Sequence, residues 1–387
     1  MKRMLAAVLV IMMLAVPCAA EEGPAAPAVA VQAPSAVLMT LDGAVLLEKD
    51  AHAVREPASV TKVMTMLLVC EAVDQGRISL EDPVTASAHA ASMGGSQIWL
   101  EEGEVLTVAE MLKCVAVVSA NDCAVALGEH LAGSEEAFVQ MMNARAQELG
   151  MEDTRFVNAC GLTVEGHVTS AHDIGLMSAQ LLREHRWITD YTLIWQDYIR
   201  EGTSVLNNTN KMLKSYQGIT GLKTGFTTTA GYCISATAER EGLHLIAVVM
   251  GGATKESRNG DAAALLNWGF ANYAAVTLTA DRPLLPVPVE MGRQQWVEVE
   301  LGQQTPLVLE RASLGTLEKT VELPEQVHAP VEQGQELGCL VVRQGGAEVC
   351  RVPIVACGSV ERLGLWDVFQ RVLMCVCGRA DEDAGGN

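Results

Sequence analysis

Residues Gly231–Gly252 read GYCISATAEREGLHLIAVVMGG. Two runs rich in β-branched and apolar residues flank a polar turn at Glu239–Gly242, which is the pattern of an antiparallel hairpin. Upstream of it the apolar residues recur with a helical period instead. Val60, Val63, Met64, Leu67 and Leu68 mark one such stretch, and Met111, Leu112, Val115 and Val118 another. A hairpin set among amphipathic helices predicts an α+β fold, with helices against an antiparallel sheet, over residues 35–275.

Proline use then changes. None occurs between Pro83 and Pro283, and seven occur from Pro283 onward. Over residues 282–358 short apolar runs alternate with Gly, Gln and Pro, which predicts a small all-β domain of the sandwich type. Residues 359–377, SVERLGLWDVFQRVLMCVC, return to a helical period. Leu365, Phe369, Val372, Leu373 and Val376 share one face, with Asp367, Gln370 and Arg371 opposite. Such a helix either packs on the β-domain or lies in a membrane surface with Trp366 at the edge. Its place after a complete domain favours attachment to the outer face of the cytoplasmic membrane.

The first residues, MKRMLAAVLVIMMLAVPCAAEE, place Lys2 and Arg3 before an apolar run and small residues after it, the layout of a secretory signal peptide over residues 1–20. Acylation of Cys18 is disfavoured by Pro17 in front of it. Residues 21–34, rich in Ala and Pro, read as a flexible spacer. No later stretch reaches the ~20 apolar residues of a membrane span. The protein is therefore expected outside the cytoplasm. Ten cysteines follow the signal peptide, and Cys70, Cys114, Cys123, Cys160 and Cys233 sit in apolar or small-residue stretches, as buried free thiols do. Neither Cys350 to Cys357 nor Cys375-x-Cys377 has the paired spacing of a zinc site, so no metal is expected. With 27 basic against 47 acidic side chains the formal charge is -20, which excludes nucleic acid as a partner.

Three short motifs carry the chemistry. In Ser59-Val60-Thr61-Lys62 the serine opens an apolar helix and the lysine, three residues on, shares its face. Lysine avoids such helices. Forced inward, its ammonium form is disfavoured, which makes it a base for the serine hydroxyl, and the helix N-terminus offers N–H groups to a developing oxyanion. Ser119-Ala120-Asn121 is a polar break between two apolar helical stretches, a pattern that an ordinary helix cap also produces. Lys223-Thr224-Gly225, just before the hairpin, sets a cation, a hydroxyl and a residue without Cβ on an extended segment. A substrate strand could lie against that edge, with Gly225 permitting close approach.

In order and spacing the three motifs resemble those of the low-molecular-mass D-alanyl-D-alanine carboxypeptidases, which belong to the penicillin-binding serine acyl-transferases. The resemblance extends through PASVTKVMT, GGSQIWLEEGE at Gly94–Glu104, SANDCAVAL, Phe138–Leu162, HVTSAHD, NTNKML, GLKTGFTTTAGYC and RNGDAAALLNWGF, nearly continuous from Ala36 to Phe270. It implies a β-lactamase/transpeptidase-like catalytic domain, a C-terminal β-sandwich and an amphipathic membrane anchor. It further implies that Ser59 attacks the carbonyl between the last two D-alanines of a peptidoglycan stem peptide, and that Lys62 accepts its proton. Ser119 would relay a proton to the leaving D-alanine, and Asn121 would hold the substrate amide and position Lys62. Lys223 and Thr224 would bind the terminal carboxylate beside Gly225, with the N–H groups of Ser59 and Phe226 as oxyanion hole. A β-lactam would stall on the same path as a Ser59 ester, and no cofactor is implied. The motif departs from the family's usual form only in Val60.

A class A-like β-lactamase shares the trio but carries SDN and a Glu-x-x-Leu-Asn loop, which the region GLTVEGHVTS around Glu165 lacks. A catalytically silent wall-binding module is opposed by the intact Ser59, Lys62, Ser119, Asn121 and Lys223. His167 and His172 suggest a metallopeptidase, but no HExxH occurs.

Overall fold

The structure is a computed structural model that describes residues 29–302 and 306–376. The signal-peptide reading and Cys377 lie outside the described residues.

The hairpin forms as read. Strands β4 (Gly231–Arg240) and β5 (Leu243–Gly252) are antiparallel, with Arg240 opposite Leu243. Glu241 and Gly242 close the turn at φ +50° and +77°, the left-handed backbone that a two-residue hairpin demands. Around it β1 (Ser35–Thr40), β2 (Val45–Lys49) and β3 (Ile219–Thr227) complete an antiparallel sheet in the order β2-β1-β5-β4-β3.

The two-residue alternation of β5 decides how the sheet is covered. Leu245, Ala247 and Val249 pack with Leu265 and Leu266 of α6 (Lys255–Asn272) on one face. Ile246, Val248 and Met250 join the larger core on the other. That core is built by α1 (Lys62–Asp74), α2 (Val108–Val117), α3 (Asn121–Ala132), α4 (Glu135–Glu148) and α5 (Ala171–Glu184). Every residue of α1 from Lys62 to Cys70 is buried, so the apolar helix opened by Ser59 is a central one, as expected. β3 is the edge strand, paired among the described residues only with β4.

The end of the expected spacer is docked rather than free. The N–H groups of Gln32 and Ala33 donate to the Asp261 carboxylate at 3.0 and 2.7 Å, and Lys49 Nζ donates to the carbonyls of Val31 and Ala33. A buried carboxylate accepting two backbone N–H groups outweighs the flexibility that Ala and Pro composition suggests.

Past α6 the described residues up to the terminal helix form strands and loops, apart from a 3₁₀ turn at Arg311–Thr316. Tyr273–Val276 pairs with Leu307–Glu310, and a four-stranded antiparallel sheet runs Val299–Leu301, Ala347–Ala356, Glu336–Gln344, Leu317–Glu322. A smaller sheet centres on Val287–Glu290. Val287, Val289, Val299, Ile354 and Ala356 form its core. The terminal helix α7 (Leu365–Val376) is tied to this domain on its polar side, where Asp367 meets Arg293 at 3.2 Å. Leu365, Trp366, Phe369, Val372 and Leu373 are exposed. No described helix is long and apolar enough to cross a membrane.

Cys70, Cys114, Cys123, Cys160, Cys233, Cys339, Cys350 and Cys357 are free thiols, and the five expected inside are buried. Among the described residues no three His, Cys, Asp or Glu side chains are arranged to hold a metal.

Candidate active site

Ser59 lies in a 3₁₀ turn, Ala58–Thr61, that leads into α1, one turn earlier than a simple helix start. Lys62 is the first α-helical residue and is fully buried. Its Nζ lies 2.6 Å from Asn121 Oδ1, 2.7 Å from the Cys160 carbonyl and 3.1 Å from Ser59 Oγ. Two acceptors that cannot themselves donate take two of its hydrogens, and the third tetrahedral position falls on the serine. In the neutral amine that position is a lone pair aimed at the hydroxyl. Burial lowers the Lys62 pKa to about 8 from its usual 10.5, so the neutral form is accessible.

The second motif sits between α2 and α3. Ser119 takes φ +65°, and its buried Oγ has no hydrogen-bond partner among the described residues, as suits a hydroxyl that acquires its partner from substrate. Asn121 Nδ2 donates to the Gly94 carbonyl at 2.7 Å while Oδ1 holds Lys62, so one amide joins the base to the GGSQIW segment. Asp122, also buried, accepts the N–H groups of Ile98 and Leu100 in that segment.

The third motif occupies the edge strand β3. Lys223 is buried and donates to the Thr224 carbonyl at 2.8 Å. Burial first, then the positive Lys62 and Arg258, push its ammonium well below the usual lysine range. Thr224 Oγ1 donates to Thr209 Oγ1 at 2.9 Å, and the Thr209 N–H bonds to Val117, so the NTNKML segment ties the third motif to the helix before the second. At Gly225 a Cβ would come within 3.0 Å of Pro57 O, Ser59 N and Val60 N. The missing side chain thus admits the nucleophile's own turn, not only a substrate strand. Phe226 is half exposed at the lip and stacks on Tyr232 at 4.3 Å.

Ser59, Ser96, Ser119, Thr224, Gly225 and Phe226 line one cavity of about 540 Å³, together with Lys211, Lys255, Glu256 and Arg258. The structure brings all three motifs to it, with Lys62, Asn121 and Lys223 immediately behind. Arg258 was not singled out from the sequence. Its guanidinium, 4% exposed, reaches Cys233 O and Asn259 Oδ1 but no carboxylate. The signal was available: Arg258, Ala262 and Leu265 share the buried side of α6, where an arginine needs a reason. The histidines serve elsewhere. His172 stacks on His52, and His167 bonds to Thr61 and Val157.

A helix-flanked antiparallel sheet with a serine, a buried lysine and a second serine at its edge strand defines the class of penicillin-binding serine hydrolases. Comparison with known proteins narrows this. The family model described as D-alanyl-D-alanine carboxypeptidase matches residues 20–254, and that of the penicillin-binding protein 5 C-terminal domain matches residues 276–362. The chain is 39% identical to D-alanyl-D-alanine carboxypeptidase DacF of Bacillus subtilis, over 96% of this chain and 98% of that one. To DacC of Escherichia coli it is 32% identical over 90% of each. Among solved structures, penicillin-binding protein 5 from Haemophilus influenzae superposes with a TM-score of 0.70 at 29% identity, covering 86% of this chain and 98% of that one. Penicillin-binding protein D2 from Listeria monocytogenes, in its ampicillin-bound form, gives 0.58 at 34% identity, covering 63% and 100%. The chain belongs to the D-alanyl-D-alanine carboxypeptidase family and is an enzyme of that activity.

Proposed function

We propose that the enzyme works through a Ser59 acyl-enzyme and trims the terminal D-alanine from peptidoglycan pentapeptide stems during wall biogenesis and remodelling. The observation that carries this reading is the Lys62 amine, held by Asn121 Oδ1 and Cys160 O with its remaining position on Ser59 Oγ. Neutral Lys62 takes the hydroxyl proton as Oγ attacks the penultimate D-alanine carbonyl. The oxyanion forms between the N–H groups of Ser59 and Phe226. Ser119, unpartnered in the wall of the cavity, passes a proton to the leaving amine in the positive field of Lys223. D-alanine departs and water hydrolyses the ester.

Thr224, Lys223 and Arg258 stand where the terminal carboxylate would bind, and among the described residues neither Lys223 nor Arg258 makes an ion pair with a carboxylate. A β-lactam carries the same carboxylate beside its reactive carbonyl and would remain as a Ser59 ester, as the ampicillin-bound relative supports. Glu165 is exposed and does not line the cavity, so nothing favours rapid β-lactam turnover. We further propose the division into a catalytic domain, residues 35–275, and a β-domain, residues 282–358. Export by residues 1–20 and attachment to the outer face of the cytoplasmic membrane through the exposed apolar side of α7 complete the reading.

Fluorescent penicillin should label the wild type covalently and leave Ser59→Ala unlabelled. Label that persists on Ser59→Ala would remove Ser59 from the mechanism.

A further inference from the structure

The nucleophile's turn contains a backbone geometry that needs an explanation. Ala58, directly before Ser59, has φ +47°, a left-handed conformation that residues with a Cβ avoid. Such a conformation persists only where its surroundings impose it.

Three hydrogen bonds converge on it. Thr61 Oγ1 donates to the Ala58 carbonyl at 2.9 Å. His167 Nε2 lies 2.8 Å from the same Thr61 Oγ1, and the Val157 N–H donates to His167 Nδ1 at 2.9 Å. The directions are fixed throughout. Nδ1 accepts, so the neutral ring carries its hydrogen on Nε2; Thr61 has already spent its own hydrogen on Ala58, so its oxygen must accept. Donation therefore runs in one sense, from Val157 through His167 and Thr61 to the carbonyl beside the nucleophile. A protonated ring would set a second N–H against that of Val157. Burial lowers the His167 pKa to about 4, so the ring stays neutral at ordinary pH.

The same segment reaches the base. Cys160 O holds Lys62, and Gly161 packs so close to the turn that a Cβ there would lie 1.9 Å from Ala58 O. Val157–His167 thus grips both members of the Ser59–Lys62 pair, from residues a hundred positions away.

We infer that His167 is a positioning residue for the hydrolase reaction: through Thr61 it locks the left-handed turn at Ala58 and so fixes the Ser59 hydroxyl and N–H. This rests on the reading of Ser59 as nucleophile. His167→Leu removes both ring contacts, Thr61→Val removes the linking hydroxyl at similar volume, and His167→Gln retains one acceptor and one donor. For each, the second-order rate of acylation by fluorescent penicillin, kcat and KM for D-alanine release, and the melting temperature are measured, beside Ser59→Ala.

His167→Leu and Thr61→Val should each slow acylation by ~10–100-fold, the scale expected for a misplaced reacting group, with the loss in kcat and KM within about threefold. His167→Gln should stay within about threefold of wild type, and the His167→Leu/Thr61→Val double variant should be no slower than the slower single one. Folded single variants with wild-type acylation, a Gln variant no better than Leu, or losses that multiply in the double variant would overturn the proposal. Failure to fold without either contact would make the pair structural and overturn it equally. Label surviving on Ser59→Ala would instead sink the nucleophile reading on which it stands.

Discussion

Lys62 is the residue on which the proposed chemistry turns, because a lysine fully buried between Asn121 and Cys160 holds its proton weakly. Its pKa is lowered to about 8, and the reactive form is the neutral one. Acylation should therefore rise tenfold per pH unit below about pH 8 and level off above it; a rate independent of pH from 6 to 9 would remove Lys62 as the base. Lys62→Met should cost ~10²–10⁴-fold in acylation, the usual range for a general base. This pair was legible in the sequence because three-residue spacing on a helix is local. Arg258 was passed over although its place on a buried helical face gave a signal of the same kind. The His167–Thr61 contact was not legible at all, since 106 residues separate its partners and no pattern along the chain connects them.

Among the elements, β4 and β5 were readable because both runs are rich in β-branched and apolar residues and a polar turn separates them. The helix α1 was readable in position and setting: its sequence, VMTMLLVC, is apolar on every side, and it is buried from Lys62 to Cys70. The contact between edge strand and nucleophile turn was not legible, because it joins segments far apart along the chain. Gly225 was read as permitting close approach of a substrate strand, and its absent Cβ also admits the backbone of Pro57–Val60. Gly225→Ala should consequently press the turn outward, with a stability loss of ~1–3 kcal/mol and slowed acylation; a variant that melts and acylates like wild type would contradict that packing. The docking of Gln32 and Ala33 on α6 carries a parallel expectation. Asp261→Ala leaves two N–H groups without their acceptor and should cost ~1–3 kcal/mol in denaturant unfolding. An unchanged unfolding midpoint would mean that the segment is free in solution.

At the scale of the whole molecule, charge and site pull in opposite directions. A chain of net charge -20 sets Lys211, Lys255 and Arg258 against Glu256 in the lining of one cavity, so the field is positive where an anionic peptide end would land. The acidic remainder gives no attraction to an anionic membrane, so the proposed attachment rests on the apolar side of α7. Deleting residues 359–387 should move the protein from the membrane fraction to the soluble one, and an unchanged distribution would refute the anchor. The central claim concerns the reaction. Incubated with a pentapeptide ending in D-alanyl-D-alanine, the purified wild type should release one D-alanine per stem over many turnovers, while Ser59→Ala releases none. Absence of release by a wild type that still takes up penicillin, or release by Ser59→Ala, would contradict the account.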